Sequence, residues 1–150
     1  MKDYQVSEKK MTQTWGVLDR QAAMKLAGTE IPREAMKAET GGGRILAVRE
    51  EETRISREKY LEVTGVIYPV DRNAPNIEWK ILLPFCWNKR SVQVGGGANN
   101  GQIPTLEKEL LMSEYNPAEH GFVVFGDDSG HQSRDPMSAD FASNEEALQN

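Results

Sequence analysis

A chain of 150 residues is long enough for one domain with a sizeable core, and 38% hydrophobic against 27% charged content fits a globular protein with a well-solvated surface. Lys and Arg number 18 against 23 Asp and Glu, for a net charge of -5 at pH 7, which excludes the basic footprint needed for nucleic acid or an anionic membrane. The single cysteine, Cys86, excludes an intrachain disulfide and any metal site built from cysteine spacing.

Residues 1–59 form a poorly defined N-terminal segment. Behind Met1-Lys2 there is no apolar run, so no secretory leader is read there, and no stretch reaches transmembrane length. The expected location is cytoplasmic by default, or that of a mature form whose leader has been removed. Leu18 to Leu26 predicts a short helix that Gly28 ends. Gly41-Gly42-Gly43 predicts a loop ahead of a strand over Arg44 to Val48. Arg49 to Lys59 is almost entirely charged or polar and reads as a solvated connection.

Residues 60–150 carry sharper signals. Leu61, Val63, Gly65 and Ile67 alternate with Glu62, Thr64 and Val66, the pattern of a half-buried strand. Tyr68 to Asn76 is dense in turn residues, and Ile77, Trp79, Ile81 and Leu83 then alternate with Glu78 and Lys80. Two such runs around one turn predict an antiparallel pair. Ser91 to Val94 predicts a short strand ending in Gly95-Gly96-Gly97. Pro104 to Met112, with Ile103, Leu106 and Leu110 at helical spacing, predicts a helix. Phe122-Val123-Val124-Phe125 is a continuous apolar run, as in buried parallel strands. Strand, glycine loop, helix and buried strand make a βαβ unit, so the fold class is α/β. Ser143 followed by Glu146 is a capping-box signature for a helix that the last residues only begin, so the chain reads as a fragment.

Two places could carry chemistry. Gly95, Gly96 and Gly97 can take positive φ and leave their N–H groups open to a ligand. The loop reads in three ways: as an amide donor to an oxyanion hole, as a dinucleotide loop with Gly101 and the acids Asp127 and Asp128, or as a tight turn without a ligand. The second place is Gly126-Asp127-Asp128-Ser129-Gly130-His131. Asp, Ser and His so close in a turn do not make a relay, and the favoured reading is a turn in which Asp128 caps backbone amides, with His131 free to line a pocket. No G-x-S-x-G occurs in the sequence. His120 reads as a surface or helix-end residue, Trp79 and Trp87 as core and rim aromatics, and Cys86 as a buried hydrophobe. Nothing favours a metal.

In order and spacing, several phrases resemble the tannase and feruloyl esterase family of α/β-hydrolases. They include Val63-Thr64-Gly65-Val66-Ile67-Tyr68-Pro69, Ala74-Pro75-Asn76-Ile77-Glu78-Trp79, Val92-Gln93-Val94-Gly95-Gly96-Gly97 and Asp128-Ser129-Gly130-His131-Gln132. The resemblance runs from about Tyr60 to Asn150 and is faint from about Ile31. It implies the N-terminal part of an α/β-hydrolase sheet, an antiparallel pair leading into the βαβ unit, incomplete and without its nucleophile.

It further implies a parent that hydrolyses gallate- or ferulate-type phenolic esters with a Ser-His-Asp triad. Gly95, Gly96 and Gly97 would give oxyanion-hole backbone, and Asp128, Ser129 and His131 part of the substrate-binding floor. No cofactor is implied. The isolated chain is expected to be inactive and to self-associate through an exposed sheet edge. Two other readings stand beside this one: a dinucleotide-binding module, and a non-catalytic interaction domain derived from an esterase fold. The family commonly has a fourth glycine where Ala98 stands, a change expected to be mild. Many members are secreted and carry paired cysteines, where this chain has Cys86 alone.

Overall fold

The structure, a computed structural model, describes residues 19–108, 115–135 and 137–149. Six strands form one mixed sheet: β1 (Glu30–Ile31), β2 (Gly43–Glu52), β3 (Lys59–Ile67), β4 (Ile77–Pro84), β5 (Ser91–Gln93) and β6 (Val123–Asp127). Their order is β1-β2-β3-β4-β6-β5. The first four run as an antiparallel meander, β6 joins β4 antiparallel, and β5 lies outside β6 and parallel to it. Among the described residues helix is scarce: α1 (Arg20–Met24), α2 (Glu145–Gln149) and three short 3-10 turns.

The alternation that predicts β3 and β4 is realised in register. Leu61 faces Leu83, Val63 faces Ile81, and Gly65 faces Trp79. Because side chains alternate across a strand, the sheet builds a core on each face. One face gathers Tyr60, Leu82, Leu106, Ala118 and Val124, with Val94 and Phe122 against them. The other gathers Ala23 of α1 with Val48, Leu61 and Val63, backed by Ile45, Trp79 and Leu83.

Several expectations need correction. Arg49 to Lys59 is not a connection throughout, since β2 runs on to Glu52 and β3 begins at Lys59. The charges are tolerated because β2 is flanked on its outer side by only the two-residue β1, and they pair: Lys59 Nζ lies 2.9 Å from Glu50, Arg57 lies 2.6 Å from Glu52, and Arg20 also pairs with Glu50. The helix over Pro104 to Met112 is not formed at residues 104–108, while Glu109 to Met112 lie outside the described residues. Leu106 is 1% exposed, and the chain here is pressed onto β6, where a Cβ on Gly126 would lie 3.0 Å from Pro104 and 3.2 Å from Leu106. Packing against the sheet has overridden helical spacing. The β5–β6 crossover is therefore parallel, as a βαβ unit requires, but not helical over residues 98–108.

The capping box shifts by one residue. The Asn144 side chain, not Ser143, caps α2 by accepting the Ala147 N–H at 2.9 Å. Glu146 turns away to accept the N–H groups of Val70 at 2.8 Å and Asp71 at 2.5 Å, which ties α2 to the loop between β3 and β4. The predicted helix near the start is realised as α1, capped by the Asp19 carboxylate, and Gly28 takes a left-handed φ of 81° just beyond it. Cys86 is exposed rather than buried, because Phe85 to Asn88 leaves the sheet in a bend after β4.

Candidate functional site

β5 and β6 are parallel neighbours, so the residues that follow each emerge at the same, carboxyl, edge of the sheet. Open α/β sheets place their ligand sites at such edges. Gly95-Gly96-Gly97 follows β5, and Asp127 to His131 closes β6, which brings both predicted constellations together.

The three glycines are exposed. A Cβ on Gly95 or Gly97 would meet nothing within 4 Å, so their backbone is open to a ligand. None of the three takes a positive φ, contrary to expectation. The left-handed residues come just after them: Ala98 (φ 52°), Asn100 (φ 57°) and Gly101 (φ 95°). Ser129 (φ 62°) and Gly130 (φ 72°) add two more across the gap. Left-handed backbone at non-glycine residues costs energy and gathers where a structure needs a particular geometry.

Asn100 joins the two halves, and nothing in the sequence reading singles it out. Its Nδ2 donates to the Asp127 carbonyl at 3.1 Å and to Ser129 Oγ at 2.8 Å. Asn99 secures the other side of the loop by donating to the carbonyls of Met137 and Ser138. The available signal was an Asn-Asn-Gly run, a composition that favours left-handed turns.

Asp128 is 1% exposed. Its Oδ1 accepts the N–H groups of Glu78 and Gly130, each at 3.0 Å, and its Oδ2 accepts Gln132 Nε2 at 2.5 Å. Burial pushes its carboxyl above the ordinary carboxylate range, against the pull of those donors. Both oxygens are thus engaged in fixing the turn to the start of β4. Ser129 donates its N–H to Asp127 Oδ1 at 2.9 Å and offers its hydroxyl to Asn100. His131 is 6% exposed and stacked on Phe141, with ring centroids 4.1 Å apart. Its Nδ1 lies 3.4 Å from the Ser129 carbonyl, while Nε2 is buried with no hydrogen-bond partner. Asp128, Ser129 and His131 share a turn, but their hydrogen bonds lead to the backbone, Gln132 and Asn100 instead of linking the three as a relay.

On the second face of the sheet, next to Ser129, lies an apolar groove of about 420 Å³ lined by Ile67, Ile77, Trp79, Ile81 and Phe125. On the far side of the turn a more polar cleft of about 570 Å³ runs past Gly101, Ile103, Gln132 and Arg134. His120 ends the 3-10 turn Pro117–His120 and stacks on Tyr115, away from this edge. Among the described residues no group of His, Cys, Asp or Glu is arranged to hold a metal ion. No helix among them is long and apolar enough to cross a membrane. The dinucleotide reading is not supported: residues 98–108, where its phosphate-binding helix would begin, are not helical, and Asp128 is occupied.

Comparison with known proteins bears on the fold and the family. An uncharacterised esterase of Agrobacterium fabrum is 37% identical over 131 residues, covering 83% of this chain and 24% of the relative. The crystal structure of feruloyl esterase B from Aspergillus oryzae superposes with a TM-score of 0.54 at 14% identity, over 77% of this chain and 23% of that one. An esterase crystal structure from Aspergillus oryzae gives 0.51 at 18% identity, over 71% and 23%. At those identities the two structures speak to the fold, an α/β-hydrolase sheet of which this chain spans about a quarter of each relative's length. Residues 61–150 match the family model described as tannase and feruloyl esterase, and the chain belongs to that family.

Proposed function

We propose that the chain is the oxyanion-side portion of a serine carboxylic-ester hydrolase acting on phenolic esters of the gallate or ferulate type. The observation that carries this reading is the open glycine loop after β5, held beside the β6 turn at the carboxyl edge of a parallel pair. The loop's amides, with open space beside Gly95 and Gly97, are suited to receive the negative charge that develops on a carbonyl oxygen under attack. The reaction is acyl transfer to water through a covalent acyl-enzyme. In this reading the nucleophile is not among these 150 residues, where no G-x-S-x-G occurs.

In this reading Asp128 fixes the floor of the site, while Ser129 and His131 line it. The apolar groove beside Ser129, with Trp79 and Phe125 in its wall, is the surface of this chain best suited to an aromatic acyl group. The chain by itself is inactive and self-associates through its open sheet edge. The test compares the 150-residue chain with the same chain extended by its downstream coding sequence, on methyl gallate, methyl ferulate and methyl acetate. Hydrolysis of the aromatic esters by the extended protein alone is expected. Saturable turnover by the 150 residues, or an extended protein that favours methyl acetate, would sink the reading.

A further inference from the structure

We propose that Asn100 is the positioning residue of the glycine loop, its side chain acting as the strut that sets the direction of the Gly95–Gly97 amides. The assignment rests on the ester-hydrolase reading for its catalytic consequence, but its geometry stands on its own.

Three observations converge on this one side chain. Its backbone is left-handed, with φ 57°, a conformation that Asn tolerates better than most residues. Both hydrogens of its amide are used across the gap, at 3.1 Å to the Asp127 carbonyl and 2.8 Å to Ser129 Oγ. Its Oδ1 fills the space beneath Gly96, where a Cβ would fall 1.7 Å away. The main chain closes the same bend, since the Asn100 N–H donates to the Gly97 carbonyl at 2.9 Å. Gly96 is therefore glycine for a different reason from its neighbours. Gly95 and Gly97 face open space, whereas Gly96 makes room for the strut.

Neither Asp nor Gly meets these demands together. Asp in place of Asn would set a carboxylate oxygen against the Asp127 carbonyl and lose both donors. Gly would keep the left-handed backbone and lose the strut. The neighbouring Gly101 has its own constraint, because a Cβ there would lie 3.0 Å from Ser133 and 3.3 Å from the His131 ring. The His131 ring thus lies close to Gly101, the residue that follows the strut. This gives the buried imidazole a place in the architecture without a direct part in the chemistry.

The test has two arms. In the 150-residue chain, amide resonances of Gly95, Gly96 and Gly97 are compared between the natural protein, Asn100→Gly and Asn100→Asp. Shifts at the three glycines and Ser129, with Tyr60, Leu82 and Val124 unmoved, are expected; unmoved glycine amides overturn the proposal. In the extended esterase, Asn100→Gly is expected to lower kcat about 10- to 100-fold with KM nearly unchanged, because an oxyanion donor acts on the transition state. Gly96→Ala should do the same by displacing the strut, and the double variant should be no worse than Gly96→Ala alone. An unchanged kcat, a loss confined to KM, or strictly additive effects overturn it. If Asn100→Gly does not fold, Asn100→Asp and Gly96→Ala decide by the same criteria. An extended protein inactive before any substitution removes the ester-hydrolase reading, and the amide shifts still decide the role of Asn100.

Discussion

Glu119 reaches from the Pro117–His120 turn to the turn between β2 and β3, where its carboxylate accepts the N–H of Ile55 at 2.9 Å, the N–H of Ser56 at 2.8 Å and the Ser56 hydroxyl at 2.7 Å. Burial alone would raise this carboxyl, but the Ser56 hydroxyl, the Ser56 and Ile55 amides and Thr53 together hold it down to about 2. With the folded value below the unfolded one, its stabilisation is complete above about 4.5 and is lost as pH falls from there toward 2. A melting curve recorded across that window should fall with pH in the natural protein and stay flatter in Glu119→Gln. At neutral pH the substitution should cost about 1–3 kcal/mol by urea titration. Ala98 makes the opposite case. At φ 52° it carries left-handed strain of about 1–2 kcal/mol, so the change from glycine is less mild than its small side chain suggests. Ala98→Gly should raise stability by up to about 1 kcal/mol after allowing for glycine's larger unfolded-state entropy, again read by urea titration. Neither residue was legible in the sequence. Glu119 acts through partners more than sixty positions away, and the handedness of Ala98 is set by how the loop closes.

Among the elements, β3 and β4 were legible because each alternates cleanly and each face finds a core. β2 was misread in its second half because its charges resemble a solvated loop until the partner strand shows Glu50 opposite Leu61 and Glu51 opposite Tyr60. The helix predicted over Pro104 to Met112 is missing at residues 104–108 for the reverse reason. Its spacing is helical, but at Leu106 the sheet supplies a better burial than a helix could. Of the site, the two loops and their meeting were foreseeable from the parallel-strand reading, whereas the strut between them was not. Within the meander, Gly65 lies beneath the Trp79 ring, where a Cβ would come 2.2 Å from Cζ2 and 2.5 Å from the Arg44 carbonyl. Gly65→Ala should therefore destabilise by about 3 kcal/mol, the upper end of ordinary overpacking, and redshift Trp79 fluorescence as the ring lifts. On the opposite face Lys80 bridges Glu62 at 3.2 Å and Glu107 at 3.0 Å. Burial lowers its ammonium, but the two carboxylates outweigh that and raise it overall. Lys80→Met should cost about 1–3 kcal/mol, less than for a fully buried pair, because water still reaches the group.

At the scale of the whole molecule, the two margins of the sheet differ. Beyond the short β1, the outer strand β2 carries Arg49, Glu50, Glu51 and Glu52, the charges with which natural edges discourage pairing. The other margin is β5, Ser91-Val92-Gln93, without a charge in it, and it adjoins the apolar groove around Trp79 and Phe125 only one strand away. Self-association through β5 is expected to appear as a sedimentation coefficient that rises with concentration. Val92→Lys should suppress it, while a charge added to β2 should not. A natural chain that stays monomeric throughout the concentration series would refute the edge assignment.

The strand order also sets a timetable. β1 to β4 pair with their neighbours in sequence, so each step of the meander closes a short loop and can form as soon as its residues are available. β6 must then return across some forty residues to reach β4, and β5 finds its place only beside a β6 already docked. The glycine loop is therefore the last part of the sheet to acquire its shape and the first to lose it. Pulse-labelled exchange during refolding should protect the β3 amides before those of β5. Limited proteolysis should in turn cut in the glycine loop at residues 95–101 while the meander is still intact.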